Sequence, residues 1–196
     1  MHNITSICVN AGSSPGLLAE YGQAARELGK CLVGHGITIV FGGADVGLMG
    51  DVANSALVNG GKVIGVIPET IKEKVGHDRL TELHVVPSMH ERKKLMFELS
   101  DGFIALPGGM GTLDEIFEVL TWAQLGLHSK PCGLLNVRGY FDDLLRFLEH
   151  SVNQQFVKRE HRDMLLVGEC GDELLEKFRR YQRPTTEKWF SAKRDS

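Results

Sequence analysis

The chain has 196 residues, 42% of them hydrophobic and 24% charged, with a net charge of −3. That length suits one domain with a substantial core, and the acidic balance leaves no basic surplus to neutralise a nucleic-acid polymer. No apolar run is long enough to span a membrane, and Met1-His2-Asn3 does not open a signal peptide. Cys8, Cys31, Cys132 and Cys170 form no C-x-x-C pair; three stand in or beside apolar runs, which suits reduced core thiols and a cytoplasmic protein.

In chain order, Ile7-Cys8-Val9 reads as the first strand. Residues 11–16 form a turn suited to starting a helix, with a serine cap and Pro15 near the first helical position. Leu17, Tyr21, Ala24, Ala25, Leu28 and Leu32 give that helix its apolar face, and His35-Gly36 ends it. Strand 37–41 runs into the turn Gly42-Gly43. Helix 48–59 stops at Gly60-Gly61, and strand 63–67 follows. Residues 69–81 are polar without a clear period and read as a loop with room for one helical turn, a mobile edge to a site. Strand 83–86 precedes Ser88-Met89-His90-Glu91, a capping box that predicts a helix carrying Arg92, Leu95, Met96 and Leu99. Strands 103–106, 133–135 and 164–167 and helices 141–152 and 171–181 complete the chain. Residues 1–181 read as one nucleotide-binding domain and 182–196 as a polar, frayed tail.

Strands that are continuous apolar runs, alternating with helices, call for an α/β fold: a doubly wound, Rossmann-like parallel sheet of six or seven strands with helices on both faces. Ligands of such a sheet lie beyond the carboxyl ends of its strands. Three glycine turns occur there, at Gly12-Ser13, Gly42-Gly43 and Gly108-Gly109. The fingerprint G-x-G-x-x-G is missing after the first strand, so NAD is not expected.

Residues 107–115, Pro-Gly-Gly-Met-Gly-Thr-Leu-Asp-Glu, join the fifth strand to a helix with Leu113, Ile116, Phe117 and Leu120 on its apolar face. Free N–H groups and the helix dipole suit a phosphate there. Glycine lets a ligand approach the backbone, and Thr112 adds a hydroxyl. Glu115, one turn inside, would repel that phosphate unless it faces another part of the ligand; alone, it reads as a helix-start charge. Arg92 lies on an apolar helix face and needs a partner: Glu115, a ligand anion, or a structural ion pair. Lys93 reads equally as a solvated charge or a substrate contact, Asp114 and Glu118 as surface charges, and Thr121 and Trp122 as packing residues. The eight histidines form no H-E-x-x-H or comparable ligand pair, so no catalytic metal is expected.

The 107–115 string resembles the P-G-G-x-G-T-x-x-E signature of the LOG (Lonely Guy) family, and Met89-His90-Glu91-Arg92-Lys93 resembles its second element, M-x-x-R-K. The resemblance runs from about Ile7 to Leu166. It implies a cytokinin riboside 5′-monophosphate phosphoribohydrolase, of a family also labelled possible lysine decarboxylase. The implied reaction releases the base from N6-modified adenosine 5′-monophosphates, and from AMP, leaving ribose 5-phosphate. Arg92 and Glu115 are then catalytic. Ser13, Gly43, Met89, Lys93, Gly108, Gly109, Met110, Gly111, Thr112 and Thr121 join them in contacting the purine nucleoside 5′-monophosphate. No cofactor is expected, since a decarboxylase needs a lysine holding pyridoxal phosphate and no such site is recognisable. The family's usual homodimer, with the site near the subunit contact, is the expected assembly. Asn10-Ala11 depart from the family's frequent aromatic and cysteine residues before G-S-S, which touches base recognition. The alternative is a nucleotide- or cofactor-binding carrier module without turnover.

Overall fold

The computed structural model describes residues 4–185. Its strands are β1 (Ser6–Asn10), β2 (Thr38–Phe41), β3 (Val63–Pro68), β4 (Glu82–Val86), β5 (Gly102–Ala105), β6 (Cys132–Leu135) and β7 (Leu165–Gly168). They form one all-parallel sheet in the order β4-β3-β2-β1-β5-β6-β7. The chain builds outward from β1 to one edge and then returns to β1's other side with β5. A crevice opens where the order reverses, beyond the carboxyl ends of β1 and β5.

The two-residue period of a strand divides its side chains between two layers. Ile7, Val9, Ile39, Phe41 and Ile104 face the layer of α1 (Ala19–Gly34), α2 (Gly47–Val58) and α8 (Gly171–Arg180). Cys8, Val40, Phe103 and Ala105 face α4 (Met89–Glu98), α5 (Met110–Gln124) and α6 (Asp142–Asn153). Both faces of the central strands are therefore buried, which is why they read as unbroken apolar runs.

Three local expectations change. The first helix begins at Ala19, not at the serine turn; its N-cap Leu18 offers no side-chain cap, and Leu17 is 95% exposed. Gly16, at φ +74°, breaks a helical continuation from Ser13 to Leu17. The polar stretch after β3 contains α3 (Glu69–Val75), which buries none of its residues and so shows no apolar period. It is fastened to the second glycine turn and is no free edge: Asp45 N–H donates to the Val75 carbonyl at 2.9 Å, and His77 N–H to the Gly43 carbonyl at 3.0 Å. Short α7 (Arg159–Arg162) and a 3-10 turn at Val137–Gly139 are too brief to show a period. Most of the 182–196 tail lies outside the described residues.

Asp101 ties the start of β1 to the start of β5. One of its carboxylate oxygens accepts from the Thr5 N–H and hydroxyl, both at 2.8 Å, and from Ser6 N–H at 3.0 Å. Burial opposes the charge, but these bonds outweigh it and hold the carboxyl below its ordinary range. A lowered folded pKa means the stabilisation is present above the unfolded carboxylate pKa and is lost as pH falls through the folded one. Asp101→Ala is expected to cost about 1–2 kcal/mol at pH 7 in urea unfolding, with the difference from the parent shrinking below about pH 4.

Candidate active site

Helix α4 starts on its capping box. Glu91 N–H donates to Ser88 Oγ at 3.2 Å, and the Ser88 hydroxyl donates to Glu91 Oε2 at 2.8 Å. That start turns Arg92 inward, where it is only 8% exposed. Arg92 Nη1 lies 2.5 Å from Glu115 Oε1 of α5, and its Nε donates to the Val66 carbonyl of β3 at 3.1 Å. The guanidinium crosses directly over Gly42, where a Cβ would stand 2.1 Å from Nη2. One buried cation thus joins β3, the turn after β2, and α5. A charge so placed persists only when paired and fully bonded.

Lys93 is not a solvated charge. Its side chain is 15% exposed, and Nζ lies 3.1 Å from both Asp114 and Glu118. Burial opposes its charge, but the two carboxylates outweigh burial and raise its pKa. Asp114 and Glu118, expected as surface charges, are its partners. Glu115, Glu118 and Lys93 border a gap of about 10 Å³ with Cys8 and Asn10, about the room one water needs. Burial, and then Glu115, push the Cys8 thiol far up, so it stays neutral. Its Sγ donates to Asn10 Oδ1 at 3.3 Å.

The glycine turns after β1 and β5 are laced together beside this pair. Gly12 N–H donates to the Pro107 carbonyl, and Leu48 N–H to the Gly12 carbonyl, both at 3.0 Å. Thr112 is 5% exposed and lies under Gly108, where a Cβ would stand 2.1 Å from Thr112 Oγ1. Its hydroxyl therefore supports the loop from beneath. Tyr140 holds the same loop from outside, donating its hydroxyl to the Gly108 carbonyl at 2.8 Å and packing edge-on against Tyr21. By contrast, a Cβ on Gly109 or Gly111 would meet nothing within 4 Å. Packing does not require those two glycines, and their bare backbone borders open space. The N-cap Gly109 gives α5 no side-chain cap, so the first-turn N–H groups point out of the helix start. Ser13, Ser14, Pro107, Gly108, Gly109 and Tyr140 line a cavity of about 270 Å³ at this point.

Of the other expected site residues, Ser13 lines the cavity, Met89 is 44% exposed on the first turn of α4, and Met110 is 87% exposed beside the open helix start. Gly43 is buried at φ +74° and serves the turn that holds His77. Thr121, read as a packing residue, is exposed, with its hydroxyl donating to the Phe117 carbonyl at 2.7 Å. Trp122 does pack, edge-on against Phe97. The Val66 carbonyl and Tyr140 are components of the candidate site that the sequence reading did not name, and nothing local marks them. Gly42, Asn10 and Glu118 were named there only as a turn glycine, a departure from the family pattern and a surface charge.

A sequence model of the family described as possible lysine decarboxylase matches residues 49–178. A cytokinin riboside 5′-monophosphate phosphoribohydrolase of Rhodococcoides fascians is 51% identical over 169 residues, covering 85% of this chain and 84% of that protein. Its counterpart from Arabidopsis thaliana is 46% identical, covering 95% of this chain and 88% of its own length. This chain belongs to the LOG family. Among solved structures, a molybdenum cofactor binding protein from Rippkaea orientalis superposes with a TM-score of 0.68 at 24% identity, covering 89% of this chain and 95% of its own. A molybdenum cofactor carrier protein from Chlamydomonas reinhardtii gives 0.65 at 20%, covering 89% and 96%. At those identities the likeness is one of fold.

In this LOG protein the Gly42 crossing is testable by itself. Gly42→Ala is expected to displace the guanidinium from Glu115 and cost about 1–3 kcal/mol in chemical unfolding. The same change in an Arg92→Ala background is expected to cost at least about 1 kcal/mol less. Additive losses would show that Arg92 does not depend on the missing side chain.

Proposed function

We propose that this LOG protein hydrolyses the N-glycosidic bond of N6-substituted adenosine 5′-monophosphates and of AMP. As a family member it is an N-glycosyl hydrolase, and the named relatives are cytokinin riboside 5′-monophosphate phosphoribohydrolases. That favours turnover over a carrier role, which rests on fold likeness alone. The observation that carries the assignment of roles is the juxtaposition of a fixed carboxylate, Glu115 on Arg92, with an open, uncapped helix start on the same helix α5.

In this reading the N–H groups of Gly109 to Thr112 take the 5′-phosphate, and Glu115 faces the ribose. The bond from C1′ to the base breaks while the sugar acquires oxocarbenium character. Water forms the new bond to C1′, and its proton balances the departing base. Glu115 stabilises the developing positive charge and aligns the water. Arg92, already bonded on two sides, keeps that carboxylate in one orientation, so its role is positioning. Phosphate contacts far from the breaking bond hold the reacting carbon in place. Ser13, Met110 and the exposed Met89 and Thr121 complete the assigned substrate surface, in a homodimer with the site near the subunit contact. No helix among the described residues is long and apolar enough to cross a membrane.

Two measurements check these roles. Adenosine is expected to be a far poorer substrate than AMP in kcat/KM, since each lost bond to a charged phosphate is worth about 1.5–3 kcal/mol; equal turnover would remove the phosphate from the cradle. Glu115→Gln is expected to fold, still bind AMP in calorimetry, and lose at least about 10²-fold in kcat, because the charge it stabilises exists only in the transition state. Near-normal base release by that variant would reduce Glu115 to a structural partner of Arg92.

A further inference from the structure

On the face of the sheet away from Glu115, α1 ends against the start of α8, and three metal-ligating side chains meet there. Cys31 lies in the last turn of α1, and His35, four residues on, is its C-cap. Asp172 is in the first turn of α8. His35 Nε2 lies 2.7 Å from Asp172 Oδ1 across 137 residues of sequence. One ligand atom from each residue, the Cys31 sulfur, an imidazole nitrogen of His35 and a carboxylate oxygen of Asp172, falls within 4.8 Å of the other two. Gly171 leaves room for the sulfur, since a Cβ there would stand 2.9 Å from Cys31 Sγ. Cys31, partly buried against the core, thus also belongs to a polar cluster, and Cys31-x-x-x-His35 is a spaced ligand pair that a search for paired histidines passes over.

The cluster is not arranged as a nucleophile and its base. His35 Nε2 is engaged by Asp172, and exposed Arg179 donates from Nη2 to His35 Nδ1 at 3.3 Å. Neither imidazole nitrogen is free to take the thiol proton, which instead bonds to Asp172. Sulfur, nitrogen and an ionised carboxylate facing one point are a donor set suited to a borderline divalent ion.

We propose that Cys31, His35 and Asp172 bind one zinc-type divalent cation that clamps the end of α1 to the start of α8, remote from the catalytic pair. Tetrahedral zinc, with bonds of about 2.0 Å to nitrogen and oxygen and about 2.3 Å to sulfur, spaces these three ligand atoms about 3.3–3.5 Å apart. The His35–Asp172 pair opens slightly to reach that spacing, and the sulfur closes in. Burial, and then Asp172, push the Cys31 thiol up to about 12 in the absence of metal. A cation reverses the balance by neutralising the carboxylate that opposes the thiolate. On binding, the thiol proton goes to solvent. The imidazole proton moves from Nε2 to Nδ1, and Arg179 swings out into water. One proton is released per ion, and solvent completes the coordination.

The test is a titration of the full chain with cobalt(II), a spectroscopic stand-in for zinc. One equivalent is expected to give sulfur-to-cobalt charge-transfer absorption in the near ultraviolet together with tetrahedral d–d bands. Cys31→Ser is expected to abolish the charge-transfer band. His35→Gln and Asp172→Asn are expected to weaken binding at least about tenfold, and Arg179→Ala to strengthen it. Cys170→Ser is expected to leave the spectrum unchanged. Zinc at about a hundredfold excess over Kd is expected to raise Tm by about 5 °C or more in the parent and not in Cys31→Ser. Absence of the sulfur band at stoichiometric cobalt, or its persistence in Cys31→Ser, overturns the proposal. Base release by Cys31→Ser is expected to match the parent, so the outcome is independent of the catalytic reading.

Discussion

The structure depends on one buried ion pair. Arg92 and Glu115 come from different helices on the same face of the sheet, and each would be a costly orphan without the other. Their meeting dictates choices elsewhere. The turn after β2 gives up a side chain at Gly42 so that the guanidinium can pass. β3 lends the Val66 carbonyl to the guanidinium's Nε donor. The serine cap of α4 sets the phase that brings Arg92 inward and leaves Met89 outside. Lys93, one residue on, is locked by Asp114 and Glu118, so a second cation–carboxylate contact reinforces the α4–α5 seam.

The sheet order explains why this pair sits beside a ligand-sized opening. Because β5 returns to the far side of β1, the loops after β1 and β5 are neighbours that lead to opposite faces. A hydrogen bond from Gly12 to Pro107 joins them, and one from Leu48 to Gly12 ties the first of them to the start of α2. Thr112 from below and Tyr140 from outside fix Gly108. The rigid part of the turn is thus held by side chains, while Gly109 and Gly111 expose bare backbone. Charge sits on one side of the site and oriented N–H groups on the other. That division suits a ligand whose anionic end and reacting carbon are several bonds apart.

The opposite layer also carries polar seams. His77 is buried between the Gly43 turn and Asn54 and edges against Phe41, which anchors the stretch after α3 to the sheet. The Cys31–His35–Asp172 cluster joins the first and last helices. In both places a polar residue within an unremarkable local sequence acquires its role from a partner far along the chain.

The architecture was written in the sequence because its signals are local. Continuous apolar runs such as 63–67 declare doubly buried strands, S-x-x-E at 88–91 declares a helix start, and the 107–115 string marks a strand-to-helix glycine turn and the family. Arg92 could be read as turned inward from its helical phase with Leu95, Met96 and Leu99. Other features needed the tertiary structure, because each depends on a contact with no counterpart in local pattern. The stretch at 11–18 carries helix-start residues, yet Gly16 in a left-handed conformation delays α1 to Ala19. α3 buries no side chain and so leaves no period to read. Lys93 and Glu118 look like solvated charges until α4 and α5 are side by side. Gly42 looks like a simple turn glycine until Arg92 is seen crossing it. Sequence determined most of the segments that would be strands, helices and glycine turns, since burial and capping act over a few residues. Only the packing of layers decided which charges would meet, since ion-pair partners are selected by distance in space.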